Sequence, residues 1–167
     1  LRGRHLMRFG LKTTLVIAFA VLPAMPGTEE EAKPPIDCPL HNQGVDTHNL
    51  KPFEEVENYI AFLERSDRAA WQRPDAIVDA LGLSGTEIIA DVGAGSGYFT
   101  FRFAEALSEG SVRAIDIEPE MLRHIHHKVT SSGISNIEII VAAPDDPRVA
   151  GDEDLVFLNL HPERPHM

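Results

Sequence analysis

The chain is poor in cysteine and in basic residues. One cysteine among 167 residues, Cys38, excludes an internal disulfide. Fifteen Lys and Arg residues against 26 Asp and Glu residues give a formal net charge of −11, whereas a nucleic-acid surface needs a basic patch. We therefore expect no nucleic-acid partner. The hydrophobic content of 43% is ordinary for a globular protein, and the length allows one domain with a real core.

The N-terminal segment carries four basic residues and no acidic residue before an apolar run of 11 residues, 15–25. A helix that spans a bilayer needs about 20 residues. A positive start followed by a short apolar run is typical of a secretory signal peptide. We predict a signal peptide at residues 1–27, and hence an exported protein with no stable membrane span. If the segment is instead an upstream artefact or a buried helix, the protein is cytoplasmic.

Residues 28–53 are rich in Pro, Glu, Asp, Asn and Gly, and they predict a linker with little core. Within it, Cys38, His41 and His48 are residue types that bind zinc. A structural zinc site normally has four ligands with recognisable spacing. A polar loop therefore explains these three residues better than a metal site, and we predict no bound metal.

Residues 54–82 predict a helical cap that precedes the main domain at 83–167. Apolar residues recur there at helical spacing, namely Val56, Tyr59, Ile60 and Leu63. Pro74 suits the first turn of a second helix. The aromatic residues Tyr59 and Trp71 either cover a ligand site or anchor these helices on the core.

The sequence Ile-Ile-Ala-Asp-Val-Gly-Ala-Gly-Ser-Gly at residues 88–97 organises the rest of the chain. Its apolar start predicts a buried parallel strand, and apolar residues at helical spacing follow from Tyr98 to Leu107. The glycines between strand and helix allow a sharp turn and the close approach of a ligand to the start of the helix. A dinucleotide site needs a third glycine where Tyr98 stands, so a nicotinamide-dependent oxidoreductase is a weaker alternative.

A second acidic residue lies at the distance expected of a ribose ligand. Residues 112–117 predict the next strand, and Asp116 lies 19 residues beyond Gly97. About 20 residues are expected between a glycine turn and an acid that binds ribose hydroxyls. Asp91, the pattern Asp-x-Gly-x-Gly-x-Gly and Asp116 together resemble the class I S-adenosylmethionine (SAM)-dependent methyltransferases. The resemblance covers about residues 71–159.

The resemblance implies an α/β, Rossmann-like methyltransferase fold with a mostly parallel sheet, with SAM as cofactor and a small-molecule acceptor. The cofactor-binding residues that it implies are Asp91, Gly93, Ala94, Gly95, Gly97, Asp116, Ile117 and Asp145. Asp91 would bind the cationic amino end of SAM, Asp116 its ribose hydroxyls and Ile117 its adenine face. Asp145 or Asp146 would replace the adenine-binding acid, because the aligned position holds Ala143. Transfer of a methyl group from a sulfonium needs no obligatory base, and we assign no catalytic residue.

Two further strands complete what the sequence supplies. Residues 137–141 and 154–159 predict strands three and four, whereas a complete domain of this class has seven strands. Residues 160–167 are polar and broken by proline, as expected of a truncated end. Two functions remain open: a methyltransferase, and a truncated, non-catalytic module that binds SAM or another nucleotide and lacks the substrate half of the fold. An uncovered strand-four edge would favour self-association.

Overall fold

The structure, a computed structural model, describes residues 38–159. The predicted signal peptide at 1–27, the first part of the predicted linker and the C-terminal segment 160–167 lie outside the described residues. The α-helices within the described range are α1 (Phe53–Leu63), α2 (Arg68–Gln72), α3 (Pro74–Leu81), α4 (Thr100–Ala106) and α5 (Pro119–Ser132), and two short 3-10 helices precede them at His41–Gln43 and Thr47–Asn49. The strands are β1 (Ile88–Val92), β2 (Ser111–Asp116), β3 (Ile137–Val141) and β4 (Leu155–Leu158).

Proline and glycine set the ends of two helices. Pro74 and Pro119 stand at the first turns of α3 and α5, where the missing N–H leaves no hydrogen bond unmade. Gly82 and Gly133 follow the last turns with φ of 60° and 75°, a left-handed conformation that ends a helix. The predicted helical cap is thus present as α1 to α3, although Arg73, with φ of 47°, separates α2 from α3. The domain boundaries stay predictions.

The four strands form one parallel sheet in the order β3-β2-β1-β4. The chain runs from β1 through α4 to β2 and through α5 to β3, and it then crosses back to place β4 on the other side of β1. The strand order therefore reverses beside β1. In open α/β sheets, ligands bind at the carboxyl ends of the strands next to such a reversal. The predicted α/β, Rossmann-like fold is confirmed.

Two helices cover one face of the sheet. Phe103 of α4 is fully buried, and its ring centroid lies 5.0 Å from that of Phe157 in β4. Leu122 of α5 packs on the same face in a cluster with Ala114 of β2, because Phe157 and Ala114 both lie opposite Asp91 in the parallel register. This apolar layer holds β1 and β2 in place, which fixes the loops that follow these strands.

The expectation that residues 28–53 have little core is wrong for the described part, 38–53. Leu40 is fully buried and belongs to the core cluster beside α5. The side chain of Gln43 donates to the Ile139 carbonyl at 2.8 Å and accepts from the Val141 amide at 2.8 Å. Gln43 therefore acts like a short piece of neighbouring strand, and it occupies hydrogen-bonding groups at the edge of β3 that would otherwise attract another chain.

The other edge of the sheet is open within the described residues. β4 pairs with β1 alone, and its alternate residues Val156 and Leu158 are 41% and 59% exposed. Trp71 is 53% exposed, so it does not anchor α2 on the core.

Candidate functional site

A cavity of about 460 Å³ opens at the carboxyl ends of β1 and β2. Its size lies within the range of about 300–1,000 Å³ that is typical of small-molecule sites. Seven of the eight residues predicted to bind a cofactor line it, namely Asp91, Gly93, Ala94, Gly95, Asp116, Ile117 and Asp145. The eighth, Gly97, does not. The sequence pattern thus located the cavity, and the helices supply walls that the pattern did not indicate.

The glycine turn is fastened to the end of β2. The amides of Gly93 and Ala94 donate to the Ile115 carbonyl at 2.8 and 3.0 Å. Gly95 has a φ of 57°, and a Cβ atom there would lie 3.5 Å from the Leu63 side chain. The turn therefore leaves its main chain bare where the cavity begins, as close approach of a ligand requires.

Gly97 serves the packing of the turn. With φ of 83°, it lies so close to its neighbours that a Cβ atom would stand 2.7 Å from Phe101 and 3.1 Å from Ile125. Real Cβ atoms do not approach other atoms that closely, so only glycine lets the turn lie against α4 and α5. Gly97 therefore belongs to the glycine pattern that predicted a cofactor site, although its packing alone is enough to require glycine.

Asp116 ends β2 with its carboxylate held in one orientation. Oδ2 accepts from the Gly95 amide at 2.8 Å, and Oδ1 accepts from the Glu118 amide at 2.9 Å. The glycine turn therefore helps to hold the Asp116 carboxylate in a fixed orientation at the cavity wall.

Asp91 lies in β1 at the base of the cavity and is 1% exposed. Burial raises the pKa of its carboxyl from 3.8 to about 6, against the hydrogen bond from Thr100 Oγ1 at 2.6 Å, which lowers it. At neutral pH the group is a carboxylate whose charge its surroundings compensate only in part. Such a site favours a cationic ligand.

The end of α1 and the start of α2 form a further wall of the cavity. Tyr59, Leu63 and Arg68 line the cavity. Tyr59 also packs against the buried cluster that includes Leu63, so it combines the two roles left open by the sequence, whereas Trp71 lies outside the lining. The Arg68 guanidinium stands 3.9 Å from the centroid of the Tyr98 ring. Arg68 also donates to the Leu63 carbonyl and to the Gln72 side chain.

Asn159 follows β4 and joins the same wall. Its Oδ1 accepts from Gln72 Nε2 at 3.0 Å, so a hydrogen-bonded series runs from the end of α1 through Arg68 and Gln72 to the end of β4. Helical periodicity marks apolar faces and carries no signal for polar contacts between residues 87 positions apart. These residues could not have been found from the pattern.

At the far end of the cavity, the chain after β3 supplies the rim. The Ala143 and Asp146 main chains bond to each other at 2.9 and 3.1 Å in a tight turn. Asp145 lies in this turn and lines the cavity, while Asp146 does not. Of the two alternatives left open by the sequence, the structure brings Asp145 to the site.

Two further features of residues 38–159 bear on function. No group of three or more His, Cys, Asp or Glu side chains in this range is placed to hold a metal ion. Among the same residues, no helix combines the length and apolar character needed to cross a membrane.

Comparison with known proteins agrees with this geometry. The family model described as a methyltransferase domain matches residues 89–166. A SAM-dependent methyltransferase from Aquifex aeolicus is 24% identical, with a TM-score of 0.55 over 60% of this chain and 55% of that chain. A putative SAM-dependent methyltransferase from Methanococcus maripaludis is 18% identical, with a TM-score of 0.52 over 66% and 52% of the two chains. None of the curated proteins matches this chain.

This chain therefore spans about half the length of these two solved structures. At identities below 25%, the likeness to them establishes the fold. The family match covers β1, the glycine turn, β2 and everything to the end of β4. Residues 89–166 match the family model of a methyltransferase domain, and the described residues have the Rossmann-like fold of the SAM-dependent methyltransferases.

Proposed function

We propose that the chain binds SAM in the cavity at the carboxyl ends of β1 and β2 and transfers its methyl group to a small-molecule acceptor. The observation that carries the proposal is the pre-oriented carboxylate of Asp116, held by the Gly95 and Glu118 amides beside the bare main chain of the glycine turn. A carboxylate at the end of the second strand is the residue type that accepts both hydroxyls of a ribose.

The cavity offers a partner for each part of SAM. Asp91, a buried carboxylate, matches the positive charge of the amino-acid end, and Asp116 matches the ribose. Ile117 is 40% exposed at the cavity wall, where an apolar side chain suits a purine face. The Ser96 and Tyr98 hydroxyls are buried without a hydrogen-bond partner within residues 38–159, and buried polar groups of this kind normally have one.

SAM, when bound, supplies an electrophilic methyl group on a sulfonium. The contribution of the chain is to hold the reacting groups in place and to exclude water, which can provide much of the rate enhancement in such a displacement. The acidic lining, with Asp91, Asp116, Glu118 and Asp145, disfavours a polyanionic acceptor such as nucleic acid. A small neutral or cationic acceptor fits this charge.

The cofactor site is tested by titration calorimetry with S-adenosylhomocysteine, the demethylated product. We expect one-to-one binding that Asp116→Asn weakens about 10- to 150-fold, the equivalent of a charged hydrogen bond. Asp79→Asn removes an exposed acid of α3 that lies outside the cavity lining, and it serves as the matched control. Absence of binding to a protein that melts cooperatively would contradict the proposal.

A second candidate function is binding of SAM without catalysis. It is favoured by the open outer edge of β4, where Val156 and Leu158 are exposed and where a complete domain of this fold carries further strands. Transfer of a labelled methyl group from SAM to any member of a panel of small amines, thiols and phenols would contradict this alternative. The exposed edge also favours pairing of two chains through β4, which size-exclusion chromatography with Leu158→Lys tests.

A further inference from the structure

The strand order gives the cavity two sides. Asp116, which the proposed function assigns to the ribose, ends β2 on one side of β1. Asn159 follows β4 on the other side of β1 and also lines the cavity. The Gln72 side chain contacts both Asn159, at 3.0 Å, and Arg68. Arg68 therefore belongs to the β4 side of the cavity, and the proposed function gives it no role.

Arg68 is a cation whose charge the protein compensates only in part. It is 8% exposed, and burial lowers the pKa of its guanidinium. Within residues 38–159, no acid forms an ion pair with it. Its contacts to the Leu63 carbonyl and the Gln72 side chain use two of the five N–H donors of a guanidinium. Because buried charges are normally paired, Arg68 is open to an anion in the cavity.

Tyr98 brings a hydrogen-bonding group to the same side. Its ring centroid lies 3.9 Å from the Arg68 guanidinium, which it orients by a cation–π contact. Its hydroxyl is buried with no hydrogen-bond partner in the described part of the chain. Since a hydroxyl can both donate and accept, an oxygen atom of a ligand beside Arg68 would have a second partner in Tyr98.

A shallow hollow on the protein surface adjoins this side of the cavity. It is lined by Phe62, Leu63, Arg65, Arg68 and Trp71. Leu63 and Arg68 also line the cavity, so the hollow and the cavity share these two walls. Trp71 is 53% exposed, and an exposed aromatic side chain offers a surface on which a flat ring can stack. An aromatic ligand in the hollow can therefore reach Arg68 with a polar substituent.

We propose that the methyl acceptor is a phenol, whose ring stacks on Trp71 and whose oxygen is held at Arg68 as the phenolate. This inference rests on the proposed function and names its acceptor class. A phenol enters the acidic cavity uncharged, and the guanidinium favours loss of its proton to water. The phenolate oxygen then forms a bond to the methyl carbon, while the carbon–sulfur bond breaks with its electron pair on sulfur. An ammonium group would instead be repelled by Arg68.

The test is binding of para-nitrophenol to the 167-residue chain saturated with S-adenosylhomocysteine. The phenolate form of this probe is yellow, so absorbance during a pH titration reports its ionisation without any methyl transfer. We expect the bound probe to ionise about 1–3 pH units below the free probe, as an acid beside a cation does. Trp71 is the only tryptophan of the chain, and we expect the probe to quench its fluorescence.

Substitutions separate the charge of Arg68 from the packing around it. Arg68→Met is expected to abolish the shift in ionisation and to leave the affinity for S-adenosylhomocysteine unchanged, which also shows that the variant is folded. Arg68→Lys keeps the charge and is expected to keep the shift. Arg102→Met is the matched control, because Arg102 contacts the same Tyr98 ring at 4.1 Å yet lies outside the cavity lining. Trp71→Ala is expected to weaken the probe alone.

The outcomes separate this inference from the proposed function. If S-adenosylhomocysteine does not bind the folded protein, the proposed function fails and this inference fails with it. If it binds but the probe does not, or the probe binds without the shift, the phenol site is refuted and the cofactor site stands. A shift that Arg68→Met keeps, or that Arg68→Lys or Arg102→Met loses, refutes the role of the Arg68 charge. Loss of S-adenosylhomocysteine affinity in Arg68→Met also refutes it, since Arg68 would then hold the cofactor.

Discussion

Replacing Asp91 with asparagine is expected to make the free protein more stable and to remove its affinity for the cofactor. The reason lies in the burial of this carboxylate, which is 1% exposed and has a hydrogen bond from Thr100 as its direct partner. A charge in this position is costly to the folded state and useful only when a cation binds beside it. Stability and function therefore make opposite demands on one residue.

The magnitude follows from the pKa of Asp91, which burial raises from 3.8 to about 6. Between about pH 4 and pH 6 the folded protein binds the Asp91 proton more tightly than the unfolded chain does, so the free energy of unfolding falls as the pH rises through this window. Above pH 6, Asp91 is ionised in both the folded and the unfolded state, and its burial lowers the free energy of unfolding by the full amount. A difference of roughly two pKa units corresponds to about 3 kcal/mol. Because the new amide brings buried N–H donors that need partners, the expected gain at pH 8 is about 1–3 kcal/mol.

Urea unfolding of wild type and Asp91→Asn at pH 8 and at pH 4 measures this gain. The variant is expected to be more stable at pH 8, and the difference is expected to shrink toward zero at pH 4, where the folded wild-type protein carries Asp91 protonated. Comparing the two proteins at each pH cancels the titration of all other groups. A difference that is the same at both pH values, or a variant that is less stable at pH 8, would refute the reasoning.

Three further outcomes are expected. Gly97→Ala places a Cβ atom 2.7 Å from Phe101 at a φ of 83°, and it is expected to lower the free energy of unfolding in urea by about 2–4 kcal/mol. The control Gly44→Ala has a similar φ of 84° but open space around it, and it is expected to lower that free energy by about 1 kcal/mol. Equal losses in the two variants would contradict the packing argument. Gln43→Ala removes both side-chain hydrogen bonds to the β3 edge. It is expected to lower the free energy of unfolding by about 1–3 kcal/mol and to raise aggregation measured by light scattering. Unchanged stability and solubility would contradict the inference that Gln43 protects this edge. The affinity for S-adenosylhomocysteine is expected to fall as the pH drops below 6, because the ligand ammonium needs the ionised form of Asp91; calorimetry that shows a constant affinity from pH 5 to pH 8 would refute this.

The sequence predicted those parts of the site that lie close together along the chain. Asp91, the glycines and Asp116 belong to one strand–turn–helix–strand unit, in which the order of the elements fixes their arrangement in space. The parallel sheet brings the end of β1 beside the end of β2, with Val92 opposite Ile115. A local pattern was therefore sufficient to place six cavity residues, whereas Asp145 lies beyond this unit, after β3.

The parts that the sequence did not predict depend on contacts between distant residues. Leu40 is a single apolar residue in a polar stretch, so periodicity gave no sign that it is buried. Gln43 bonds to a strand 96 positions away, and Arg68 is one charge in a segment that a helical pattern assigns to solvent. Such residues acquire their roles only when the tertiary fold brings their partners to them.

The apolar core and the buried polar groups of the cavity lie in different parts of the domain, so the domain can be stable although the cavity residues are unfavourable to folding. Away from the cavity, the sheet is covered by close-packed apolar side chains such as Phe103 and Leu122, which supply stability. At the carboxyl ends of β1 and β2, the buried charge of Asp91 is unfavourable to folding. So are the Ser96 and Tyr98 hydroxyls, which have no hydrogen-bond partner among residues 38–159. Because a ligand that supplies a cation and hydrogen-bond acceptors would satisfy these groups together, its binding energy and the stability of the domain are linked through the same few side chains.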